Sequence, residues 1–287
     1  MITITGATGQ LGRLVVAKIF EKILEKHPGE RIVAAVRSTE KARAMFPHTV
    51  ELRDASYDRP ETLAAAFAGA DKVLFISSSE LGNRQPQHAA VIEAARRAGA
   101  TLLVYTSLLH ADTSGLHLAI DHRATEQAIR ASGIPSVILR NGFYFENQTE
   151  QLATVLQHGV IEGSAGEGRI SGASRADFAE AAVNVLFGTE RDRTYELAGD
   201  DAYTQAELAA EVARQSGRPV RYQNLATAEH RAHLLAAGLP EPVADLLVDN
   251  DGGIARGELE DHSGQLRQLL GRPTASLAEV VRKALEP

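Results

Sequence analysis

Short apolar runs alternate with amphipathic stretches through the first half of the chain. Runs at Ile2–Thr5, Ile32–Val36, Val50–Leu52, Val73–Ile76, Leu102–Tyr105 and Ser136–Leu139 predict six strands. Several are apolar throughout, as strands covered on both faces require. Between them the period becomes helical. Leu11, Val15, Ile19 and Ile23 recur every four residues, Ala89–Ala98 is rich in helix formers, and Pro60 with Glu61 reads as a first helical turn. This alternation predicts βαβ units and an α/β fold, a doubly wound parallel sheet that ends near Arg140.

Past Arg140 the rhythm loosens. Glu146–His158 reads as one helix, followed by a stretch holding Gly159, Gly163, Gly166 and Gly168. Arg175–Phe187 and Gln205–Ser216 read as helices, Tyr195–Leu197 and Val220–Leu225 as strands, and short helices fill the remainder to Leu285. Asp249-Asn250-Asp251-Gly252-Gly253 lacks the spacing and the bidentate Glu of a calcium loop and reads as a turn.

Composition narrows the chemistry. At 287 residues the chain has room for about two domains of ~150 residues. It contains no cysteine, which excludes disulfides, Cys–zinc sites, iron–sulfur clusters and a thiolate nucleophile. Thirty basic against 37 acidic residues leave a net charge of -7, which argues against nucleic acid or anionic membrane as partner. No apolar stretch reaches the ~18 residues that span a bilayer. No charged leader precedes the first strand. The expectation is a soluble, cytoplasmic protein without membrane insertion, compatible with a homo-oligomer.

The sharpest motif is Thr5-Gly6-Ala7-Thr8-Gly9-Gln10-Leu11-Gly12, between the first strand and the first helix. Gly6 permits a tight turn, Gly9 lets backbone approach a pyrophosphate, and Gly12 lets the helix pack close to the strand. The helix N-terminus then offers its amides to the anion. Strand, loop and helix in this order make a dinucleotide fingerprint. At the end of the second strand an NAD site usually carries a carboxylate, whereas an Arg accommodates a 2′-phosphate. Here Ala34-Ala35-Val36-Arg37-Ser38 supplies Arg37 and no acid, so NADPH is the expected cofactor. Further contacts are expected at the carboxyl ends of later strands, at Asp54 and Ala55, at Ser77, Ser78 and Ser79, and at Thr106 and Ser107. The expected organisation is an NADP-binding Rossmann domain over 1–141, with the helix near 175–187 packing back on it. A smaller C-terminal α+β substrate or cap domain covers 142–287.

These residues carry a family resemblance. Ile4-Thr5-Gly6-Ala7-Thr8-Gly9, with Arg37, resembles the atypical short-chain dehydrogenase/reductases of the NmrA-like group. More narrowly, the chain resembles the type-2 NAD(P)H:quinone oxidoreductases. That likeness rests on Ile76-Ser77-Ser78-Ser79-Glu80, the segment from Tyr105 through His110 to Ser114, and Leu139-Arg140-Asn141-Gly142. It continues through Arg175-Ala176-Asp177, Tyr195–Asp200 and Tyr222-Gln223-Asn224-Leu225, and so covers essentially the whole chain. The resemblance implies NADPH-dependent, two-electron reduction of quinones without flavin or metal. It also implies cofactor contacts at Gly6 to Leu11, Arg37, Ser77 to Ser79, Arg175, and Asn141, Gly142, Phe143, Tyr144 and Phe145.

Side-chain chemistry is sparse. Short-chain dehydrogenases acting on alcohols use a Tyr acid with a Lys four residues on. None of the lysines at 18, 22, 26, 41, 72 and 283 has a Tyr four residues before it, and Leu118 and His122 stand where the pair would be. A quinone relaxes this need, because hydride addition yields a delocalised hydroquinone anion. His122, as the catalytic candidate, and His110 would at most orient the acceptor or lend a proton. Phe143, Tyr144 and Phe145 offer flat walls for the acceptor, with alternate members facing it and the middle one packed away. His110 and Tyr144 are therefore the substrate candidates. The glycine loop has no Gly-Lys-Ser/Thr ending, no Gly-x-Ser-x-Gly elbow occurs, and His230 with His233 lacks a ligand pattern for metal. Two readings stay open: a reductase of quinones or related conjugated acceptors such as triphenylmethane dyes, and an NADP(H)-binding redox sensor of NmrA type with no turnover.

Overall fold

The computed structural model describes residues 1–26, 29–78, 80 and 82–286. Strand and helix alternate through β1 (Ile2–Ile4), α1 (Gln10–Lys26), β2 (Ile32–Val36), α2 (Thr39–Arg43), β3 (Glu51–Asp54) and α3 (Pro60–Phe67). They go on through β4 (Lys72–Phe75), α4 (Arg84–Arg97), β5 (Leu102–Leu108), α5 (His117–Ala131) and β6 (Ser136–Asn141). Local chemistry sets the helix starts. The Ser38 hydroxyl accepts the Lys41 amide at the head of α2, and Pro60, whose ring pre-sets the helical φ, opens α3.

The next elements are α6 (Glu146–Thr149), α7 (Leu152–His158), β7 (Val160–Gly163), β8 (Arg169–Ile170), α8 (Arg175–Phe187) and β9 (Arg193–Leu197). The seven-stranded sheet has the order β3-β2-β1-β4-β5-β6-β9. Its pairs from β3 to β5 are all parallel, with Ile2 of β1 opposite both Ile32 and Lys72. Such strands need cover on both faces. On one side Leu63, Phe67, Val91, Ala95 and Ile129 pack against Phe75, Leu103 and Tyr105. On the other, α8 packs along α1. Lys72 at the start of β4 donates to the Leu186 carbonyl at 2.8 Å, satisfying an end carbonyl of α8, and its ammonium lies over the Phe187 ring.

The chain closes with β10 (Tyr203–Thr204), α9 (Gln205–Ser216), β11 (Arg221–Asn224), α10 (Thr227–Ala236), α11 (Glu241–Ala255), α12 (Gln265–Leu270) and α13 (Leu277–Leu285). Two compact units result. One comprises Met1–Leu108, Asp121–Arg140 and Arg175–Tyr195; the other Leu109–Ile120, Asn141–Ser174 and Glu196–Pro287. The second unit holds two small ladders, β10 antiparallel to β8 and β11 parallel to β7. Reciprocal capping boxes start two of its helices, Thr204 with Glu207 and Ser276 with Glu279.

Two elements depart from expectation. The helix over 146–158 is broken at Glu150–Gln151, where the Gln151 amide bonds the Gln148 carbonyl in a tighter turn. The Gln148 side chain, bonded to Tyr203 and Gln205, holds α6 in its own direction. The expected turn at Asp249–Gly253 lies inside α11. Its carboxylates are taken up by tertiary bonds, Asp249 accepting the His117 amide at 2.9 Å and Asp251 the Ser164 amide at 2.6 Å. At Gly253 a Cβ would stand 2.6 Å from Leu116 Cδ2, so a larger residue would push that side chain aside.

Candidate active site

The loop after β1 lies at the carboxyl end of the sheet's middle, between β2 and β4. Gly6 takes φ +60° and its carbonyl accepts the Gly9 amide at 3.0 Å, closing the turn. A Cβ on Gly12 would stand 2.2 Å from the Gly6 carbonyl oxygen and 2.7 Å from Ala7 Cα, so only glycine lets α1 start this close to the strand. Ala7 and Leu11 are buried, Thr8 is half-buried, and Gly6, Gly9 and Gln10 are exposed. The loop thus anchors itself by two apolar side chains and leaves bare backbone outward. No acidic residue occupies the first turn of α1, so its positive end stays uncancelled. These features fit a bound pyrophosphate.

The loop is braced from below. The Tyr57 hydroxyl lies 2.6 Å from Thr5 Oγ1 and donates to the Ile76 carbonyl at 2.9 Å, joining the ends of β1 and β4. The Ser77 amide donates to Thr106 Oγ1 at 3.0 Å and the Ser78 amide to His88 Nε2 at 3.0 Å. Arg84 Nε donates to the Ser78 carbonyl at 2.8 Å. Both of these amides and the Ser78 carbonyl are spent on the scaffold, which leaves the side-chain hydroxyls of Ser77 and Ser78 to offer a ligand. Because Nε2 of His88 accepts, Nδ1 carries the proton and donates to Thr125 Oγ1 at 2.8 Å. Burial, with His122 and Arg84 nearby, pushes His88 down to about 3 and keeps it neutral. Tyr57, His88 and Arg84 escaped sequence reasoning. Only their place beside strand ends, invisible without the sheet order, would have singled them out. Ser79 lies outside the described residues.

Arg37 follows β2 with its side chain 81% exposed, and its Nη1 lies 3.7 Å from Glu80 Oε1. Arg175 is half-buried at the first residue of α8, and Asp177 is buried two residues on. His122 on α5 is buried, with Nδ1 2.7 Å from the Tyr105 hydroxyl. Burial and then the Arg84 charge push its pKa down to about 3, so it is a neutral imidazole at pH 7. Beneath the end of β5, Ser107 Oγ donates to Glu126 Oε1 at 2.7 Å. Arg140 grips the same buried carboxylate through Nε at 2.9 Å and an Nη at 2.8 Å. The Ser107 proton is committed to that carboxylate.

In the second unit, Asn141 Nδ2 donates to the Tyr144 hydroxyl at 3.2 Å. Asn141 Oδ1 is buried and meets no donor among the described residues, an orphan acceptor that a ligand amide would satisfy. The Gly142 amide bonds the Leu197 carbonyl, and a Cβ there would lie 3.0 Å from that oxygen. Phe143 and Tyr144 are half-buried. Phe145, rather than the middle residue, is the one packed away. Its ring stacks on Tyr203 at 5.5 Å, because the chain turns into α6 there. His110 adopts φ +52°, with Nε2 3.3 Å from Asp261 Oδ2, Nδ1 3.3 Å from the Glu258 carbonyl and its amide bonded to Glu196. The Asp261 hydrogen bond raises its pKa against a smaller opposing effect of burial. His230 pairs with Asp251 and Ser164, and His233 with Glu162.

A parallel sheet with strands β3-β2-β1-β4-β5-β6 in that order, and a glycine loop feeding a helix after β1, define a dinucleotide-binding Rossmann protein. The chain belongs to the NAD(P)H-binding family, whose match covers residues 6–188, within the NmrA-like, atypical short-chain dehydrogenase/reductases. It is 48% identical over 282 residues to quinone oxidoreductase 2 of Escherichia coli, covering 98% of this chain and 97% of that one. It superposes on an NADPH-dependent quinone oxidoreductase of Escherichia coli, solved with NADPH, with a TM-score of 0.95, 46% identity and full coverage of both chains. A triphenylmethane reductase of Citrobacter sp., solved with NADP(H), gives a TM-score of 0.93 at 38% identity, over 99% of this chain and 100% of that chain. No helix among the described residues is long and apolar enough to cross a membrane.

Proposed function

We propose that the protein is an NADPH-dependent two-electron reductase of quinones that works by direct hydride transfer, without flavin or metal. The observation that carries this reading is the state of the proton-donor position. Where alcohol-reducing relatives hold a Tyr/Lys pair, this chain has Leu118 and a buried, neutral His122 hydrogen-bonded to Tyr105. An acceptor reduced here must form a product anion stable enough to await a proton from water, as a hydroquinone is. The similarity to E. coli quinone oxidoreductase 2 along the full length supports the same acceptor class.

When bound, NADPH supplies the hydride, and with one proton from solvent the quinone becomes hydroquinone and the cofactor NADP+. The chain's own residues bind and orient. Gly6, Ala7, Thr8, Gly9, Gln10 and Leu11 present backbone and a helix N-terminus to the pyrophosphate, and Arg37 takes the 2′-phosphate. Ser77 and Ser78 supply hydroxyls, and Arg175 a second cation for phosphate. Asn141 Oδ1 accepts from an amide donor, and Gly142 with Phe143 lines the nicotinamide end. Tyr144 and His110 are assigned to the acceptor, Phe145 to the wall behind them. Positioning of this kind can supply ~7–11 kcal/mol of a barrier. A cytoplasmic location suits a reaction that draws on NADPH.

The test is a product balance under anaerobic conditions. Hydroquinone formed in the same amount as NADPH consumed, with no semiquinone signal by electron paramagnetic resonance, is the expected result. Tight NADPH binding with no hydroquinone would instead mark a non-catalytic sensor.

A further inference from the structure

Arg37 directly follows β2 and Glu80 lies in the loop that follows β4, the two strands that flank β1 and its glycine loop. Their side chains meet over that end of the sheet, with Arg37 Nη1 3.7 Å from Glu80 Oε1. The carboxylate is held from the inside. Its other oxygen, Oε2, accepts from Gln87 Nε2 at 2.6 Å, and Gln87 is only 3% exposed. The same Gln87 amide nitrogen also donates to Asp58 Oδ1 at 2.9 Å, and the Glu80 backbone amide donates to Ser78 Oγ at 3.1 Å. A buried amide thus fixes Glu80 with one oxygen left for the guanidinium.

An exposed ion pair of this kind adds little to stability. Its weight falls on the ligand. A 2′-phosphate needs the Arg37 guanidinium and carries negative charge, so it must share or displace a carboxylate that is anchored there. A ribose 2′-hydroxyl has the opposite relation to the same group, because it can donate to a carboxylate, as it does in NAD sites to the acid at the end of the second strand.

We propose that Glu80 is a specificity-determining residue that opposes Arg37. It weakens NADPH binding and supports NADH, so the site's preference for NADPH is narrower than Arg37 alone would set. This rests on the assignment of Arg37 to the 2′-phosphate. Arg37 is the attractive element in the pair and Glu80 the repulsive one, the arrangement by which a site tunes a difference of affinities.

The test is a calorimetric titration of NADPH and NADH separately into the wild type, Glu80→Gln and Arg37→Gln proteins at fixed low salt. Glu80→Gln is expected to tighten NADPH by about three- to ten-fold and to leave NADH unchanged or weaker. Unchanged or weaker NADPH binding in Glu80→Gln, or an equal tightening of both cofactors, overturns the proposal. Arg37→Gln separates the two layers. If it weakens NADPH while Glu80→Gln has no effect, only the role of Glu80 is wrong. If Arg37→Gln leaves NADPH unchanged, the phosphate assignment itself fails and the role of Glu80 falls with it. Thermal unfolding of Glu80→Gln, expected to match the wild type, checks that binding changes are not changes in folding.

Discussion

The Tyr105 hydroxyl lies 2.7 Å from Nδ1 of His122, and both side chains are buried. Each ring satisfies the other's polar atom, in a cluster that also holds Phe75 and His88. Burial raises the Tyr105 phenol and lowers His122 to about 3, so neither changes charge near neutrality. This pair is part of the packed scaffold between β5 and α5.

His122→Ala therefore separates structure from chemistry. Removing one of the two partners of the buried Tyr105 hydroxyl, the other being Thr125, is expected to cost about 0.5–1.5 kcal/mol by denaturant unfolding. The turnover number with saturating quinone should stay within about two-fold of wild type, and no inflection between pH 5 and 8 should vanish from the rate profile. A fall of about a hundred-fold in turnover at unchanged stability would make His122 a proton donor.

The glycine loop makes a sharper demand. In Gly12→Ala the new methyl would overlap the Gly6 carbonyl, which is backbone and cannot yield without moving α1. Overpacking of this kind costs about 1–3 kcal/mol. The loop shift should abolish detectable NADPH binding in a fluorescence titration while the protein remains folded by circular dichroism. Unaltered binding would show that the loop does not hold the pyrophosphate.

The His110–Asp261 pair predicts a pH dependence. The His110 pKa is raised above its ordinary 6.5, so its contribution to stability is fully present below about 6.5 and is lost as pH climbs through the raised value. Asp261 is lowered from 3.8 by the His110 and Ser263 hydrogen bonds, which outweigh its burial. Its contribution is present above about 3.8 and is lost as pH falls. Asp261→Asn should thus lower the unfolding midpoint more at pH 6 than at pH 9, by about 1 kcal/mol of difference. Proton NMR of the His110 ring should show its pKa falling in the variant.

Glu126 gives the largest stability prediction. Its buried carboxylate takes the Ser107 hydroxyl and two Arg140 nitrogens. Arg140→Leu strips two guanidinium bonds from that buried charge, leaves it the half-exposed Arg130 at 3.1 Å, and is expected to cost about 3 kcal/mol. Removing both partners, in Glu126→Leu with Arg140→Leu, should recover part of the loss, which chemical denaturation can measure.

Much of the first half was legible from local pattern. Strand, Gly6–Gly12 loop and helix are contiguous, and continuous apolar runs such as Ile32–Val36 mark covered strands without further information. Tertiary bonds explain what was not. The helical character of Asp249–Gly253 depends on His117 and Ser164, and the break at Glu150 on Tyr203 and Gln205, none of which local propensity can weigh. Likewise the face shown by Phe145 is decided by Tyr203. The pairings of Arg37 with Glu80 and His110 with Asp261 join residues far apart in the chain, and only the sheet order or the folded second unit brings them together.

The measurement closest to the central claim is absorbance at the reduced nicotinamide band after mixing metal-free, flavin-free protein with NADPH and a small benzoquinone. Hydride transfer by alignment predicts NADPH loss well above the protein-free rate, slowed when the transferred hydrogen is deuterium. NADPH loss no faster than the protein-free rate, with the cofactor demonstrably bound, would contradict it.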